Sequence, residues 1–486
     1  MGASVTVDTT SGSVRGKDLG DTVVYYGVPY AAPPVDELAF AAPIPPTAWS
    51  GVRDATVPGP TAQHRAFATG TIPDPTVPGD DILTVNVWTP EASRDARLPV
   101  LVWFHGGAYI AGSPVSPWYD GRSFARDGIV VVTVGYRLGV AGFGVVPDAP
   151  HNRAVRDWLA ALEWVRENIA GFGGDPDRVT IAGQSAGGGA VLTLLGTEGI
   201  DELVHGAIAM SPVTKVSSLE EAVRATAVAA ERLGVEATAA AFASLPREVL
   251  ADAPWSMPNV FGTSEVSVGE LPAPAMLVPA VLASLPFTPV LDGELVQTPV
   301  AEGPRTGAGA AIPLLIGAVG QEFNGMAAGI PGAAALARQV LDGFGASGIA
   351  DAYLEAQSTA PEGELLGQLL SDVFIRSAVP HVAEDRAHTW AYDFRWGSQG
   401  QIDPGRAFHC LDLPFVWNVL GRPESLRATG EAPTALAAEM HDAWTAFISG
   451  GDPGWAPYAR GRAIRRFGLE SGTVEDGYAA ERLLPL

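Results

Sequence analysis

The spacing of apolar and polar residues changes period several times along the chain. Val5-Thr6-Val7 and Thr22-Val23-Val24-Tyr25-Tyr26 are short runs that predict small antiparallel strands near the N-terminus. Pro29 to Pro46 is rich in proline and predicts an extended surface wrap. Val85-Asn86-Val87-Trp88 alternates, whereas Pro99 to Phe104 and Ile129 to Val134 are almost continuously apolar, as expected of strands covered on both faces. From Arg153 to Ile169 the period becomes helical, with Val155, Leu159, Leu162, Trp164, Val165 and Ile169 mostly on one face. Gly171-Phe172-Gly173-Gly174 stops that helix, and Asp175-Pro176 predicts a turn. Strands are then expected at Arg178 to Ala182, Ala207 to Ser211, Ile312 to Ile316 and Thr389 to Phe394. A helix opens at Gly187, and a last one carries Leu436, Met440, Trp444 and Phe447. Strands alternating with helices predict an α/β fold with a parallel sheet. An Ala- and Glu-rich stretch, about 217–285, and a second helical block, about 331–387, read as helical insertions over that sheet. With no low-complexity linker, residues 1–486 read as a single domain.

Composition narrows the chemistry. Among 486 residues, 54 acids face 30 bases, a formal net charge of −24. That argues against a nucleic-acid partner, whose phosphates need a basic surface, and against binding to anionic membranes. No apolar run predicts a bilayer span. Cys410 is the single cysteine, so no intrachain disulfide can form, and the first residues show no basic or apolar leader pattern. A cytoplasmic enzyme, monomeric or a small homo-oligomer, is the expectation. Lysine occurs only at Lys17 and Lys215, which suggests a bacterial coding bias.

Gly183-Gln184-Ser185-Ala186-Gly187 lies between a strand and a helix. A sharp strand-to-helix turn would expose the Ser185 hydroxyl at the sheet edge and aim free helix N–H groups at developing negative charge. A plain Gly-rich turn and a dinucleotide loop are the competing readings of this motif alone. His105-Gly106-Gly107-Ala108 follows an apolar strand and offers consecutive N–H donors with little side-chain bulk. Gly107, Ala108 and Ala186 are therefore the expected oxyanion-hole donors, and His105 is read as structural.

These segments resemble the type-B carboxylesterases, which include bacterial para-nitrobenzyl esterases and cholinesterases. The resemblance rests on Gly27-Val28-Pro29-Tyr30-Ala31, Trp49 to Ala55, Leu83 to Pro90, Tyr136-Arg137-Leu138-Gly139, Gly142-Phe143, Ala161 to Val165, and Phe172-Gly173-Gly174-Asp175-Pro176. It implies an α/β-hydrolase fold: a mostly parallel central sheet, helices on both faces, and helical insertions forming the pocket cover. It also implies a triad in the order Ser, acid, His. The acid would be Glu322, just beyond Leu314-Leu315-Ile316-Gly317, and the base His409, ahead of Leu411-Asp412-Leu413-Pro414. Asp292, before Gly293, is an alternative acid, and Ser211 matches a serine that supports the triad. The remaining histidines, His64, His151, His205, His381, His388 and His441, fall in surface-like or helical contexts. Trp118, Tyr119 and Phe323 are the expected pocket residues. Cys410, next to His409 in an extended loop, should point away from Ser185 and act as packing.

The implied reaction is hydrolysis of a small-molecule carboxylic ester, an aryl or short-to-medium acyl ester, without cofactor or metal. The segment Gln63 to Gly79 is short and lacks the tryptophan that cholinesterases place there. Aryl carbamates or amides are alternative substrates for the same triad. A non-catalytic binding role is disfavoured because all three triad positions are filled.

Overall fold

The computed structural model describes residues 5–67, 71–256, 285–328, 330–343, 347–358 and 360–485. Among these, one eleven-stranded sheet organises the chain. From edge to edge its strands are Gly472–Val474, Ile464–Phe467, Thr389–Phe394, Leu314–Val319, Gly206–Met210, Gly174–Gln184, Leu98–Phe104, Val130–Val134, Thr84–Thr89, Val23–Pro29 and Lys17–Asp18. From Ile464–Phe467 to Val130–Val134 every pairing is parallel. Antiparallel strands finish both edges. Thr6–Thr9, Gly12–Arg15 and Val52–Asp54 form a separate small sheet.

Burial explains the sequence pattern. Every residue of Thr84–Thr89, Val130–Val134, Gly206–Met210, Leu314–Val319 and Thr389–Phe394 is buried, so these strands need apolar or fully hydrogen-bonded side chains on both faces. Two large apolar clusters flank the sheet. One gathers Val102, Phe104, Tyr136, Trp158, Leu162, Ile181 and Leu194. The other gathers Trp103, Trp118, Trp417, Tyr392, Met440 and Trp444. Alternate residues of one strand, Val102 and Trp103, therefore belong to different layers.

The helix over Arg153–Asn168 agrees with its periodicity. The expected turn at Asp175-Pro176 is present as a bulge within a strand, the Asp175 carboxylate accepting from the Asp177 N–H at 3.1 Å. Strand Gly174–Gln184 already includes these residues, with an irregularity opposite Leu98 and Val100. The Asp175 carboxylate is also held by Arg97. The first insertion is helical at Leu219–Leu233, Ala239–Ala243 and Arg247–Asp252; its remainder, 257–284, lies outside the described residues. The second carries the helices Ala333–Gly343, Ser347–Ala356, Leu365–Ser371 and Ala378–Ala383. Strands Ile464–Phe467 and Gly472–Val474 have no counterpart in the hydrophobic pattern, because Arg465 and Arg466 interrupt the apolar run at the sheet margin. No helix among the described residues is long and apolar enough to cross a membrane.

A π-helical turn within the second insertion, Asp372–Arg376, buries an arginine. Arg376 pairs with Asp372 and Asp393 at 3.0 Å each and with Glu481, and its Nη1 donates to the Val319 carbonyl at 2.7 Å. Removing one partner of such a buried network strands the other charges without water. Arg376→Met should therefore lower the unfolding free energy in urea by about 3–5 kcal/mol. An unchanged denaturation midpoint and slope would contradict this account of the cluster.

Candidate active site

Ser185 stands at the C-terminal end of Gly174–Gln184, directly before the helix Ala186–Leu195. Its backbone sits at φ 60°, ψ −121°, a region that L-residues rarely occupy. Three backbone hydrogen bonds hold it there. The Ser185 N–H donates to the Met210 carbonyl at 2.9 Å, and its carbonyl accepts from the N–H groups of Gly189 and Val213. The turn is possible only without side chains around it. A Cβ on Gly187 would collide with the Phe104 carbonyl oxygen.

The Ser185 hydroxyl lies 2.9 Å from Nε2 of His409. On the other side of the ring, Nδ1 of His409 meets Oε2 of Glu322. The second carboxylate oxygen of Glu322 accepts from the Ser211 hydroxyl at 2.7 Å and from the Val319 N–H at 3.0 Å. Acid and base loops are tied to each other by main chain: the His409 N–H donates to the Glu322 carbonyl and the Gln321 N–H to the Ala407 carbonyl. The acid loop is also clamped from beneath. Ser371 accepts from the Phe323 N–H and donates to Asn324, both at 2.8 Å, and Gln368 donates to the Gly320 carbonyl. The Arg376 cluster thus reaches the site through Val319, whose carbonyl it binds and whose N–H serves Glu322.

Burial opposes protonation of His409, but the Glu322 carboxylate at its Nδ1 outweighs burial, so its pKa lies above the ordinary 6.5. With Nδ1–H committed to Glu322, the neutral imidazole presents a lone pair at Nε2 toward the serine hydroxyl. That arrangement can accept the serine proton while a carboxylate stabilises the resulting imidazolium.

The loop after Leu98–Phe104 packs against the serine turn; a Cβ on Gly106 would come within 3.2 Å of the Ser185 Cβ. Gly107, at φ 120°, and Ala108, at φ 53°, turn the chain, with the Gly107 carbonyl accepting from Ile110 and Ala111. Among the described residues no acceptor pairs with the N–H groups of Gly107, Ala108 or Ala186. These donors are free for an oxyanion. His105 is fully buried, stacks on Tyr136 at 4.4 Å and hydrogen-bonds the Gly106 carbonyl, so it braces this loop. Burial lowers its pKa to about 4.

Other expectations fare differently. Phe323 is half-buried with its ring 5.0 Å from the His409 ring, at the site. Trp118 and Tyr119 are not pocket residues. Both are buried in the aromatic core, Trp118 donating to the Glu424 carbonyl and Tyr119 packing on Trp103 and Trp417. The Ser116-capped turn that carries them folds inward against the loop after Leu98–Phe104, where Tyr119 meets the Gly106 backbone. Asp292 accepts from Asn152 and from the N–H groups of Glu294, Leu295 and Val296, which makes it the organiser of its own turn. His64 is not a surface residue, its side chain being buried against Asp74; His441 lies in the helix Thr434–Gly450, as its context suggested, with its side chain buried against Asp127. Cys410 is not extended. At φ 76° its thiol turns toward Gln184 and donates to Oε1 at 3.3 Å.

Two buried residues beside the triad carried no role in the sequence reading. Gln184, in the variable place before Ser185, lies 3.3 Å through its Nε2 from Nε2 of His409. Asp412 accepts from the Tyr392 hydroxyl at 2.9 Å through one oxygen, while the other has no partner among the described residues.

Sheet, turn and relay together define a class, the serine hydrolases of the α/β-hydrolase fold. Comparison with known proteins narrows it. Residues 3–464 match the Carboxylesterase family. The chain is 32% identical to the para-nitrobenzyl esterase of Bacillus subtilis over 92% of its length and 90% of the relative's. It is 31% identical to a phenmedipham hydrolase of Pseudarthrobacter oxydans, with the same coverage of each. A solved carboxylesterase from Geobacillus stearothermophilus superposes with a TM-score of 0.82 at 32% identity, covering 98% of this chain and 99% of that one. A solved para-nitrobenzyl esterase gives 0.83 at 28% identity, with 99% of each covered. The chain belongs to the carboxylesterase family and is a carboxylic ester hydrolase.

Burial, and then the neighbouring Glu322, raise the pKa of Asp412 from 3.8 to about 7. A carboxyl whose folded pKa exceeds its unfolded one stabilises the fold fully at low pH, and that stability is lost as pH rises through the folded value. Asp412→Asn removes this loss. Its melting temperature relative to wild type should therefore be higher at pH 8 than at pH 5. Equal differences at the two pH values would show that Asp412 does not titrate in this window.

Proposed function

We propose that this enzyme cleaves carboxylic esters in two steps through an acyl-enzyme on Ser185. The supporting observation is the continuous relay from the Ser185 hydroxyl through His409 to Glu322. His409 takes the serine proton as the hydroxyl attacks the ester carbonyl, then returns it to the departing alcohol. Gly107, Ala108 and Ala186 donate to the oxyanion. Water activated by His409 then releases the acid. Glu322 holds the ring and its tautomer, and Ser211 holds Glu322.

Aryl or short-to-medium acyl esters fit this reading, since Phe323 beside His409 offers an apolar wall. The helical insertions would supply the cover of the pocket in a single hydrolase unit. A single cysteine suits a cytoplasmic setting. The similarity to a phenmedipham hydrolase supports a second reading, in which aryl carbamates or amides are attacked by the same serine. Matched aryl esters, carbamates and amides of varied acyl length separate the two by kcat/KM.

Ser185→Ala should lower kcat on an aryl ester by about 10⁵–10⁶-fold, and abolish labelling by a fluorophosphonate. A variant keeping a tenth of wild-type activity would refute the nucleophile. Glu322→Gln should cost less than His409→Ala, because it orients the ring and does not carry the proton. The base works only when neutral, and its pKa is raised, so activity is lost as pH falls through a value above 6.5. An acid limb of kcat/KM below pH 6.5 would contradict the electrostatics assigned to His409.

A further inference from the structure

Gln184 is the last residue of its strand and is fully buried, so water does not compete for its carboxamide. Both ends of that carboxamide are spoken for. Its Oε1 accepts from the Cys410 thiol at 3.3 Å. Its Nε2 lies 3.3 Å from Nε2 of His409, the same atom that receives the serine hydroxyl at 2.9 Å. The thiol reaches this place because Cys410 adopts a left-handed backbone, φ 76°, and turns its side chain toward Gln184.

We propose that Gln184 is a positioning residue for the base, its carboxamide held by the Cys410 thiol in the sense that keeps N–H directed at His409 Nε2. This rests on His409 acting as the base. An amide N–H pointing at that nitrogen favours the neutral imidazole, whose lone pair it meets. It disfavours the imidazolium, whose N–H it would face. It therefore opposes Glu322, which favours the imidazolium from the other side of the ring. The groups facing the imidazole are Glu322 from the acid loop, Ser185 and Gln184 from the serine turn, and Cys410 and Asp412 from the base's own loop. Of these, Gln184 is the one that donates to Nε2 without taking part in the proton transfer. The amide is symmetric in shape but not in charge, so its sense needs fixing. A thiol that donates to oxygen supplies that bias.

The test is the pH profile of kcat/KM on an uncharged aryl ester, alongside kcat, KM and thermal melting. Gln184→Glu places an acceptor where the donor stood and should move the acid limb up by about one pH unit. Gln184→Met keeps the shape without the hydrogen bonds; kcat should fall by about 10-fold, with KM nearly unchanged, as for a misplaced reacting group. Cys410→Ala frees the amide to turn its oxygen to the ring. It should shift the limb in the same direction as Gln184→Glu, and Cys410→Ser, which still donates, should restore it.

An acid limb that stays at the wild-type pH in Gln184→Glu and Cys410→Ala overturns the proposal, even if both variants melt lower, because packing alone would move stability and not the limb. If Gln184→Glu does not fold, the Cys410→Ala and Cys410→Ser pair decides. The underlying reading fails separately: fluorophosphonate labelling of Ser185 that is as fast in His409→Ala as in wild type would remove His409 as the base, whatever Gln184 does.

Discussion

Three stretches of main chain converge on Gly187 with no space for a side chain between them. They are the end of Leu98–Phe104, the end of Gly174–Gln184 and the first turn of Ala186–Leu195. This contact forces the rest of the site. Because the helix starts on top of the strand ends, Ser185 must reverse the chain in one residue and takes a strained conformation. Because the neighbouring strand end is equally close, the loop that follows Phe104 is laid against the serine. The Ser185 hydroxyl and the N–H groups of the Gly107 loop are thus placed relative to each other by backbone packing, which tolerates little error.

The same contact explains what could be read without coordinates. Steric demands at such a turn leave few residue types possible, so Gly183, Ser185, Gly187 and the Gly pair after His105 leave a local mark in the sequence. Strands buried on both faces leave another, and the central strands and the helix Arg153–Asn168 were legible for that reason. Glu322 and His409 were placed by family resemblance. Their neighbourhoods carry no steric signature, since they are joined by side-chain and main-chain hydrogen bonds between loops far apart in the chain. Trp118 and Tyr119 misled because an aromatic pair after the oxyanion loop suits a pocket or a core equally well. The inward turn capped by Ser116 decided for the core. Cys410 is buried in the core, as expected of packing, but the extended loop assumed for it is left-handed.

The order of strands, rather than the order of sequence, sets the geometry of the relay. His409 follows Thr389–Phe394, Glu322 follows Leu314–Val319, Ser211 follows Gly206–Met210, Ser185 follows Gly174–Gln184, and the Gly107 loop follows Leu98–Phe104. These five strands are adjacent and parallel, so all five groups issue from one edge of the sheet, where such folds place their ligands. The strand bearing Ser211 separates the acid's strand from the nucleophile's, so these lie two interstrand spacings apart, about 10 Å. An imidazole reaching over that gap can touch both.

The gap itself must be filled, and here the intervening strand does chemistry of its own. Glu322 is buried and has a second buried carboxyl, Asp412 of the His409 loop, as a neighbour. A buried carboxylate needs donors for each oxygen. His409 serves one; Ser211 and the Val319 N–H serve the other. Ser211 is held at φ 42° with its N–H on the Gly317 carbonyl, so its hydroxyl is aimed by main chain as firmly as that of Ser185. The two serines end adjacent strands and repeat one device, a residue strained at a strand end. One hydroxyl is turned toward Nε2 of the imidazole, and the other toward the Glu322 carboxylate at its Nδ1. The charge that Glu322 offers to His409 is therefore fixed before any substrate arrives.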